Sequence, residues 1–355
     1  MAQIDIYTPQ FMLPAVKAIT PRSTFLKDRY FPNGISFPTE KVLVDYKEDD
    51  RKIAPFISPR RGGITSYREG YSTYELVPPM IGEKRALTAD DLKKRGFGEA
   101  LFSGMSDDQR QGEILTEDLY VLTNRIKGRM EEMAAQCLLN NAITGKIYTG
   151  EFGGSDYEEY EIKYYEGGSN DAVYTPAKKW NESGAAIIDD LYAMADSLAS
   201  RGLAATDLIC APNVAAQFRK DSTLRDLLDN RRMEYGELNP QQLAEQGVIQ
   251  IGVLNCDGMR LNIFSYNASY VNDAGTSTKF IPAGKVVVTA PGCGETIYGA
   301  VTQLEQGTSE FTTYQGEMIP KYISDPVSEV RTVQLVSRPL LKPKQKAPWI
   351  TATVL

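Results

Sequence analysis

Histidine is entirely missing from this chain of 355 residues. Its absence removes every mechanism that needs an imidazole as base, acid or metal ligand, including Ser-His-Asp and Cys-His catalysis. An enzyme without histidine is possible, but few of the common reaction types remain open to it. The composition therefore lowers the expectation of catalysis before any motif is considered.

Cysteine is scarce and scattered. The four residues are Cys137, Cys210, Cys256 and Cys293, and no two of them form a CxxC pair. A zinc knuckle, a thioredoxin-type site and a disulfide framework are therefore not expected. We predict neither a metal nor a cofactor for this chain.

Long apolar runs and an excess of positive charge are missing as well. No stretch of about 18 apolar residues occurs, so no transmembrane helix is predicted, and the first residues lack the pattern of a secretory signal. The chain has 39 Lys and Arg against 46 Asp and Glu, a formal net charge of −7. A protein that binds phosphate backbones needs a positively charged surface, so sequence-specific DNA binding is not expected. A membrane partner is not expected either.

What is present is, first, a long helical stretch. Apolar residues recur every three or four positions at Leu115, Leu119, Leu122, Ile126, Met130, Met133 and Cys137. This spacing predicts one helix from about Thr116 to Thr144, roughly 43 Å long, with Thr116 as its cap and Gly145 at its end. A coiled-coil dimer or a bundle helix is the alternative, but nothing else in the chain continues the heptad pattern.

Two segments before this helix look unable to bury their own apolar groups. Residues 1–38 are rich in proline and isolated aromatics, which favours an arm lying on its own protomer or on a neighbour; a floppy terminus is the alternative. From Glu40 the sequence predicts a long hairpin-like excursion, with strands at Glu40–Tyr46 and Ile53–Ile57 and a bend at Ser58–Gly63. β-forming residues then alternate with polar ones from Ile64 up to Pro78 and Pro79. A two-stranded hairpin of this kind is only marginally stable by itself, so we expect it to pack against another surface.

A compact α/β lobe of about a hundred residues is predicted from about residue 204. Its expected parts are a buried strand at Asp207–Ala211, helices from Pro212 and at Thr223–Leu228, a hairpin formed by Val248–Leu254 and Met259–Tyr266, and a strand at Lys285–Ala290. Before the lobe, Tyr148–Tyr165 predicts antiparallel strands and Ala186–Leu198 an amphipathic helix. After it, the chain runs extended from Glu317 and ends in a tail with three lysines.

Motifs that suggest chemistry are weak. Gly292 and Gly294 follow a strand, as in a phosphate-binding turn, but the next glycine, Gly299, comes too late for GxGxxG. A tight turn is the favoured interpretation there, and a nucleotide-using enzyme the alternative. The acidic run Asp156–Glu161 lacks the spacing and glycine of an EF-hand, so a solvated strand face is favoured. Arg60 and Arg61 are expected to pair with carboxylates across a protein interface.

Short blocks in order along the chain resemble those of one known family. They are Phe37–Val44 (FPTEKVLV), Ile57–Pro59, Arg61–Gly63, Asp229–Arg232, Phe280 with Pro282 and Val286, Tyr298 with Gly299, and a series from Pro320 to Leu340. Together they are similar to the lambda-type major capsid proteins of tailed phages, known as the phage major capsid protein E family. The tail after Leu341 is longer and more basic than this pattern.

The resemblance implies an α+β chain with the HK97-like capsid fold. The parts expected are an N-terminal arm (1–40), an extended loop (41–88), a peripheral domain (89–204) with a spine helix at 114–144, an axial α/β domain (205–316), and a return to the peripheral domain with a C-terminal tail (317–355). The arm and the loop suggested by the residues fit the first two parts.

The resemblance also implies a structural role rather than catalysis. Hexamers and pentamers would close into an icosahedral head shell around double-stranded DNA, in a virion assembled in the host cytoplasm. Besides copies of the chain, a decoration protein, a scaffold or protease, and a portal are expected partners. The inter-subunit contacts expected are Phe31, Phe37, Arg60, Arg61, Gly62, Gly63 and Arg68. An encapsulin-type nanocompartment, which shares the fold, is a further alternative.

Overall fold

The computed structural model describes residues 24–39, 41–46, 72–88, 90–91, 107–150, 154–165, 168, 170–221, 236–242, 247–256, 258–305 and 310–355. Several predicted features lie outside the described residues. They are the strand at Ile53–Ile57, the bend at Ser58–Gly63, and the helix at Thr223–Leu228.

Within the described residues, the helices are α1 (Phe25–Tyr30), α2 (Asp107–Asn140), α3 (Ile187–Ser200) and α4 (Pro212–Lys220). The strands are β1 (Asn33–Phe37), β2 (Val42–Tyr46), β3 (Ser72–Leu76), β4 (Ile81–Thr88), β5 (Ala142–Tyr148), β6 (Tyr157–Lys163), β7 (Val173–Tyr174), β8 (Asp207–Cys210), β9 (Gly236–Gln242), β10 (Val248–Cys256), β11 (Met259–Tyr266), β12 (Ser269–Val271), β13 (Ser277–Lys279), β14 (Lys285–Thr289), β15 (Gly294–Gly299), β16 (Val301–Leu304), β17 (Phe311–Tyr314), β18 (Ile319–Asp325), β19 (Val330–Ser337), β20 (Pro339–Pro343) and β21 (Ile350–Thr353).

The long helix predicted from the apolar stripe is α2, and the stripe from Leu119 to Cys137 is buried. Its predicted ends are wrong. The helix already runs through Thr116, whose hydroxyl donates to the carbonyl of Gly112 inside the helix at 2.9 Å. It ends at Asn140, because Asn141 takes a left-handed backbone conformation with φ of 53°, and Asn tolerates that conformation better than most residues. Gly145 is therefore a strand residue of β5.

The α/β lobe is built on a seven-stranded sheet in the order β7-β21-β14-β8-β11-β10-β9. The predicted hairpin is its β10–β11 pair, which is antiparallel. The C-terminal strand β21 lies inside this sheet, antiparallel to β14 and parallel to β7. The end of the chain therefore completes the lobe sheet rather than the sheet that packs against α2.

The first half of α2 packs on a three-stranded antiparallel sheet in the order β18-β19-β4. Leu119, Leu122, Ile126 and Met130 of the helix form one apolar cluster with Leu335 and neighbouring residues of that sheet. The second half, from Met133 onward, belongs to the large core shared with the lobe. One helix thus spans two cores, because its apolar stripe continues over its whole length.

Several hairpins have only two strands in the described structure. They are β2–β3, β5–β6, β12–β13 and β16–β17. A two-stranded hairpin buries little of its own surface and is marginal by itself. These hairpins are the parts of the chain with most reason to contact something else.

Candidate functional site

The N-terminal strap, residues 24–39, comprises α1 and β1 and lies on its own protomer. A buried carboxylate on α2, Glu131, holds its helix. The Glu131 oxygens accept the backbone N–H of Leu26 at 2.8 Å and of Lys27 at 2.9 Å, and the Tyr266 hydroxyl donates to the same carboxylate at 2.8 Å. The first N–H groups of any helix lack a partner in their own helix, so Glu131 caps α1 from a distant part of the chain.

No cation is paired with Glu131 in the described structure. Burial raises the pKa of its carboxyl, and the hydrogen bonds from Lys27, Leu26 and Tyr266 oppose that rise. Such a buried carboxylate is costly unless its hydrogen bonds are made. The strap and the carboxylate therefore depend on each other.

A second buried carboxylate, Asp207 at the start of β8, holds the other end of α1. It accepts from Arg29 Nε at 2.6 Å, from the Tyr30 hydroxyl at 3.0 Å and from Asn262 Nδ2 at 3.1 Å. The Arg29 guanidinium also lies 4.8 Å from the centre of the Phe264 ring. Burial raises the pKa of the Tyr30 hydroxyl well above its ordinary value, so it remains a donor. The strap is thus fixed to the lobe as well as to α2.

The turn at Gly292 and Gly294 receives the strap, which occupies the backbone groups that a phosphate-binding turn would offer. Gly292 has φ of 66° and donates its N–H to the carbonyl of Arg29 at 3.0 Å. A Cβ on Gly294 would lie 2.3 Å from the Phe31 ring, so the ring packs directly on this glycine. The nucleotide-site alternative is therefore wrong, and the glycines serve a tight turn and close packing.

The predicted contact residues of the strap are placed differently from the expectation. Phe31 is 0 % exposed and packs on Trp349 with ring centres 5.6 Å apart, so it is a core residue of its own protomer. This corrects the prediction that Phe31 contacts a neighbour. Phe37 is half-buried and packs at the edge of the same core. Arg60, Arg61, Gly62, Gly63 and Arg68 lie outside the described residues.

Exposed apolar side chains on strand elements were missed by the sequence reasoning. Leu304 and Phe311 face each other across the β16–β17 hairpin, 40 % and 73 % exposed. Ile35 on β1 is 76 % exposed, and Leu43 on β2 is 68 % exposed. The sequence does show apolar and polar residues alternating along these short strands. This alternation does not tell which face of a strand is covered by a partner.

Charged groups also join α2 to the lobe. Arg129 donates to Glu132 at 2.6 Å and to Asp273, which lies in the turn of the β12–β13 hairpin. The Tyr148 hydroxyl reaches Asp273 at 3.4 Å from β5. Burial raises the pKa of Glu132, and the charge of Arg129 opposes the rise. This network fixes the position of the hairpin on the helix.

No metal-binding arrangement is found among the described residues. No group of three or more His, Cys, Asp or Glu side chains among them is placed to hold a metal ion. Of their three buried carboxylates, Glu131 and Asp207 hold the strap, and Asp190 accepts from the Tyr174 hydroxyl and from Trp180 Nε1, each at 2.8 Å. Among the same residues, no helix is long and apolar enough to cross a membrane.

Comparison with known proteins agrees with this architecture. The family model described as phage major capsid protein E matches residues 8–354. The major capsid protein of Enterobacteria phage P21 is 26 % identical over 332 residues, which is 90 % of each chain. The P21 prophage-derived major head protein of Escherichia coli O6:H1 (strain CFT073) has the same identity and coverage.

Solved structures share the fold. A crystal structure described as a capsid protein of an E. coli CFT073 prophage superposes with a TM-score of 0.66 at 19 % identity, covering 99 % of this chain and 100 % of that one. The capsid of Ralstonia phage GP4 gives a TM-score of 0.50 at 10 % identity, covering 94 % and 92 %.

The strap, the long helix under a three-stranded sheet and the α/β lobe define the α+β, HK97-like class of capsid shell proteins. Within that class, this chain belongs to the phage major capsid protein E family, whose model covers nearly its whole length. It is accordingly a structural protein of the virion and not an enzyme.

Proposed function

We propose that copies of this chain form hexamers and pentamers that close into an icosahedral head shell around double-stranded DNA. Self-assembly into a phage shell follows from membership of the family. The arrangement of the copies in hexamers and pentamers is the part that we propose. The observation that carries it is the contrast between the firmly held strap and the two-stranded hairpins with exposed apolar faces. An isolated subunit gains nothing from those faces, whereas a neighbouring subunit can cover them.

Ring-like capsomers need heterologous contacts, in which one surface of a subunit meets a different surface of the next. Hairpins that project from a rigid body supply one side of such a contact. Each contact can be modest, because every subunit makes several of them in a closed shell. In this proposal the stem formed by β2 and β3 belongs to the extended loop, 41–88, which reaches over a neighbour, with Phe37 and Arg60 among the contact residues.

The direct test is negative-stain microscopy together with sedimentation of the purified full chain. Closed shells, or free hexamers and pentamers, are the expected result. A chain that stays monomeric or dimeric at every concentration and salt tested contradicts the proposal.

We also propose that the shell encloses its DNA without binding it tightly. The formal net charge of −7 gives the chain no excess of positive charge for condensing phosphates, and binding to duplex DNA grows with the number of phosphates neutralised. Purified shells should therefore bind free duplex only weakly at physiological salt. Tight binding in a filter or gel-shift assay would contradict this.

A portal, a scaffold or protease, and a decoration protein are proposed as further partners, on the strength of the family resemblance. Co-expression of the full chain with its candidate partners, followed by mass spectrometry of purified particles, tests each of them. A partner that never co-purifies with particles would be removed from the proposal.

A further inference from the structure

Asn33 and Gly34 form the chain's one Asn–Gly pair, at the start of β1 in the strap. Both residues are exposed, so water reaches them. Because glycine has no side chain, its peptide nitrogen can approach the carboxamide of a preceding asparagine more closely than that of any other residue. The pair is therefore a site at which the chain can deamidate without an enzyme.

The reaction uses groups of the chain and water alone. The backbone nitrogen of Gly34 bonds to Cγ of Asn33, the bond from Cγ to Nδ2 breaks, and the Gly34 proton leaves with that nitrogen as ammonia. Water then opens the cyclic imide on one side or the other. The product is aspartate, or isoaspartate, in which the backbone runs through the side-chain carbon. One water is consumed and one ammonia is released.

The folded strap holds the Asn33 carboxamide in one orientation. Lys27 Nζ donates to Asn33 Oδ1 at 2.5 Å, and the Tyr298 hydroxyl donates to the same oxygen at 2.9 Å. Both lone pairs of that oxygen are therefore engaged. Asn33 Nδ2 donates to Glu317 Oε2 at 3.4 Å. Lys27 is buried, so a rotation of the carboxamide would take a hydrogen bond from a buried ammonium, which is costly.

The backbone beside the attacking nitrogen is held as well. Asn33 pairs with Thr296 of β15, whose N–H donates to the carbonyl of Pro32 at 2.9 Å. A Cβ on Gly34 would lie 3.2 Å from the carbonyl oxygen of Thr296, so this part of β1 lies tightly against β15. Ring closure needs new backbone dihedrals at Asn33, and these would break the pairing. The reaction therefore requires the strap to leave its place.

Contacts far from Asn33 control whether the strap opens. Glu131 accepts the N–H groups of Leu26 and Lys27 at the beginning of the strap. A segment held by a limited set of contacts can open while the rest of the chain stays folded. The rate of reaction at Asn33 should therefore follow the stability of these contacts.

We propose that Asn33 is a modification site that deamidates from the open strap and is protected in the docked strap. Isoaspartate adds one carbon to the backbone at the start of β1, so the register against β15 is lost and the strap does not return. Each opening thus carries a chance of a permanent change. This inference goes beyond the proposed function and does not depend on it.

Peptide mass spectrometry of the full chain, incubated at fixed pH and temperature, measures the deamidated fraction at Asn33. The reference is the same chain unfolded in guanidinium chloride. The folded chain should react at least tenfold more slowly, because the docked strap blocks ring closure. Equal rates in the folded and unfolded chains would overturn the proposal.

A matched pair of variants separates opening of the strap from unfolding of the whole chain. Glu131→Ala removes the acceptor of two strap N–H groups and should speed deamidation at Asn33 at least tenfold. Leu198→Ala makes a cavity at a buried position of α3 and lowers the overall stability, but should leave the rate within about twofold of wild type. Equal acceleration in both variants, or none in Glu131→Ala, contradicts the proposal. Tyr266→Phe replaces Glu131→Ala if that variant does not fold.

Limited proteolysis tests whether the change is permanent. The deamidated chain carries an added negative charge, so ion exchange separates it from the unmodified chain. The isoaspartate form should be cut within the strap at least tenfold faster than the unmodified chain, because its strap stays undocked. Equal cutting of the two forms would show that the strap returns and that the proposed permanence is wrong. Neither measurement involves assembly, so a failure here leaves the proposed function untouched.

Discussion

Glu131 on α2 accepts the backbone N–H of Leu26 at 2.8 Å, although the two residues are 105 positions apart in the chain. This bond places a carboxylate from the long helix at the start of the strap helix, where helices favour negative charge. The strap is therefore fixed by polar contacts inside the core and not by apolar packing alone.

Removing the Glu131 carboxylate should destabilise the subunit. Glu131→Ala leaves two backbone N–H groups and the Tyr266 hydroxyl without a buried acceptor, and we expect a loss of about 2–4 kcal/mol in the free energy of unfolding. Tyr266→Phe removes one donor and should cost about 1 kcal/mol. Denaturant unfolding measures both. Equal losses in the two variants would show that the strap N–H groups do not depend on Glu131.

The stabilising effect of Glu131 should depend on pH. Its pKa is raised in the folded chain by burial, so the folded state holds this proton more tightly than the unfolded state. This contribution to stability is fully present below the unfolded pKa of about 4.3 and is lost as the pH rises through the higher folded pKa. The difference in unfolding free energy between wild type and Glu131→Gln should therefore shrink from pH 4 to pH 8. A difference that grows with pH would mean that the hydrogen bonds outweigh burial.

Two glycines should respond in opposite directions to alanine. A Cβ at Gly294 would lie 2.3 Å from Phe31 and 2.9 Å from the carbonyl oxygen of Lys342, so Gly294→Ala should cost about 3 kcal/mol through overpacking. Gly128 lies within α2 with open space around it, so Gly128→Ala should stabilise by about 1 kcal/mol. Thermal unfolding of both variants checks the pair. A neutral Gly294→Ala would show that the strap does not press on this turn.

The C-terminal tail should be essential for folding. Trp349 is fully buried, and β21 pairs on both sides within the lobe sheet. Removing residues 344–355 should give insoluble protein, and Trp349→Ala should cost about 3–5 kcal/mol. Lys344→Ala changes an exposed side chain and should be within about 0.5 kcal/mol of wild type. Soluble, folded protein from the truncated chain would contradict the role assigned to β21.

The β16–β17 hairpin should matter for assembly more than for folding. Leu304→Ser/Phe311→Ser removes an exposed cross-strand pair, so the unfolding free energy of the subunit should change by less than about 1 kcal/mol. The sedimenting fraction should fall at least tenfold, because the face then loses its apolar contact with a neighbour. Val327→Ser, at an exposed turn, serves as the control and should assemble normally. Normal shells from the double variant would remove this hairpin from the contact surface.

Periodicity was the most informative part of the sequence. The spacing from Leu119 to Cys137 determined the existence and the buried face of α2, because a helix brings every third or fourth residue to one side. Alternation and turn residues likewise located β10 and β11. The ends of α2 were not determined in this way, since polar residues such as Thr116 fit a helix interior as well as a cap.

Composition narrowed the class of function. Without histidine, and with four scattered cysteines, the chain had few means of catalysis. The sequence left the role of the turn at Gly292 and Gly294 undecided, because two glycines after a strand can accommodate either a bound phosphate or a closely packed side chain. Only the tertiary structure decided between them, by placing Phe31 against Gly294.

The sequence by itself thus determined the long helix, the α/β lobe and the absence of familiar catalytic groups, since each follows from local pattern or composition. The tertiary structure alone decided that Glu131 and Asp207 hold the strap, that Phe31 is a core residue and that β21 completes the lobe sheet. These are contacts between residues more than a hundred positions apart or pairings across a sheet. Local sequence carries no record of which distant residue will fill a given space or accept a given proton.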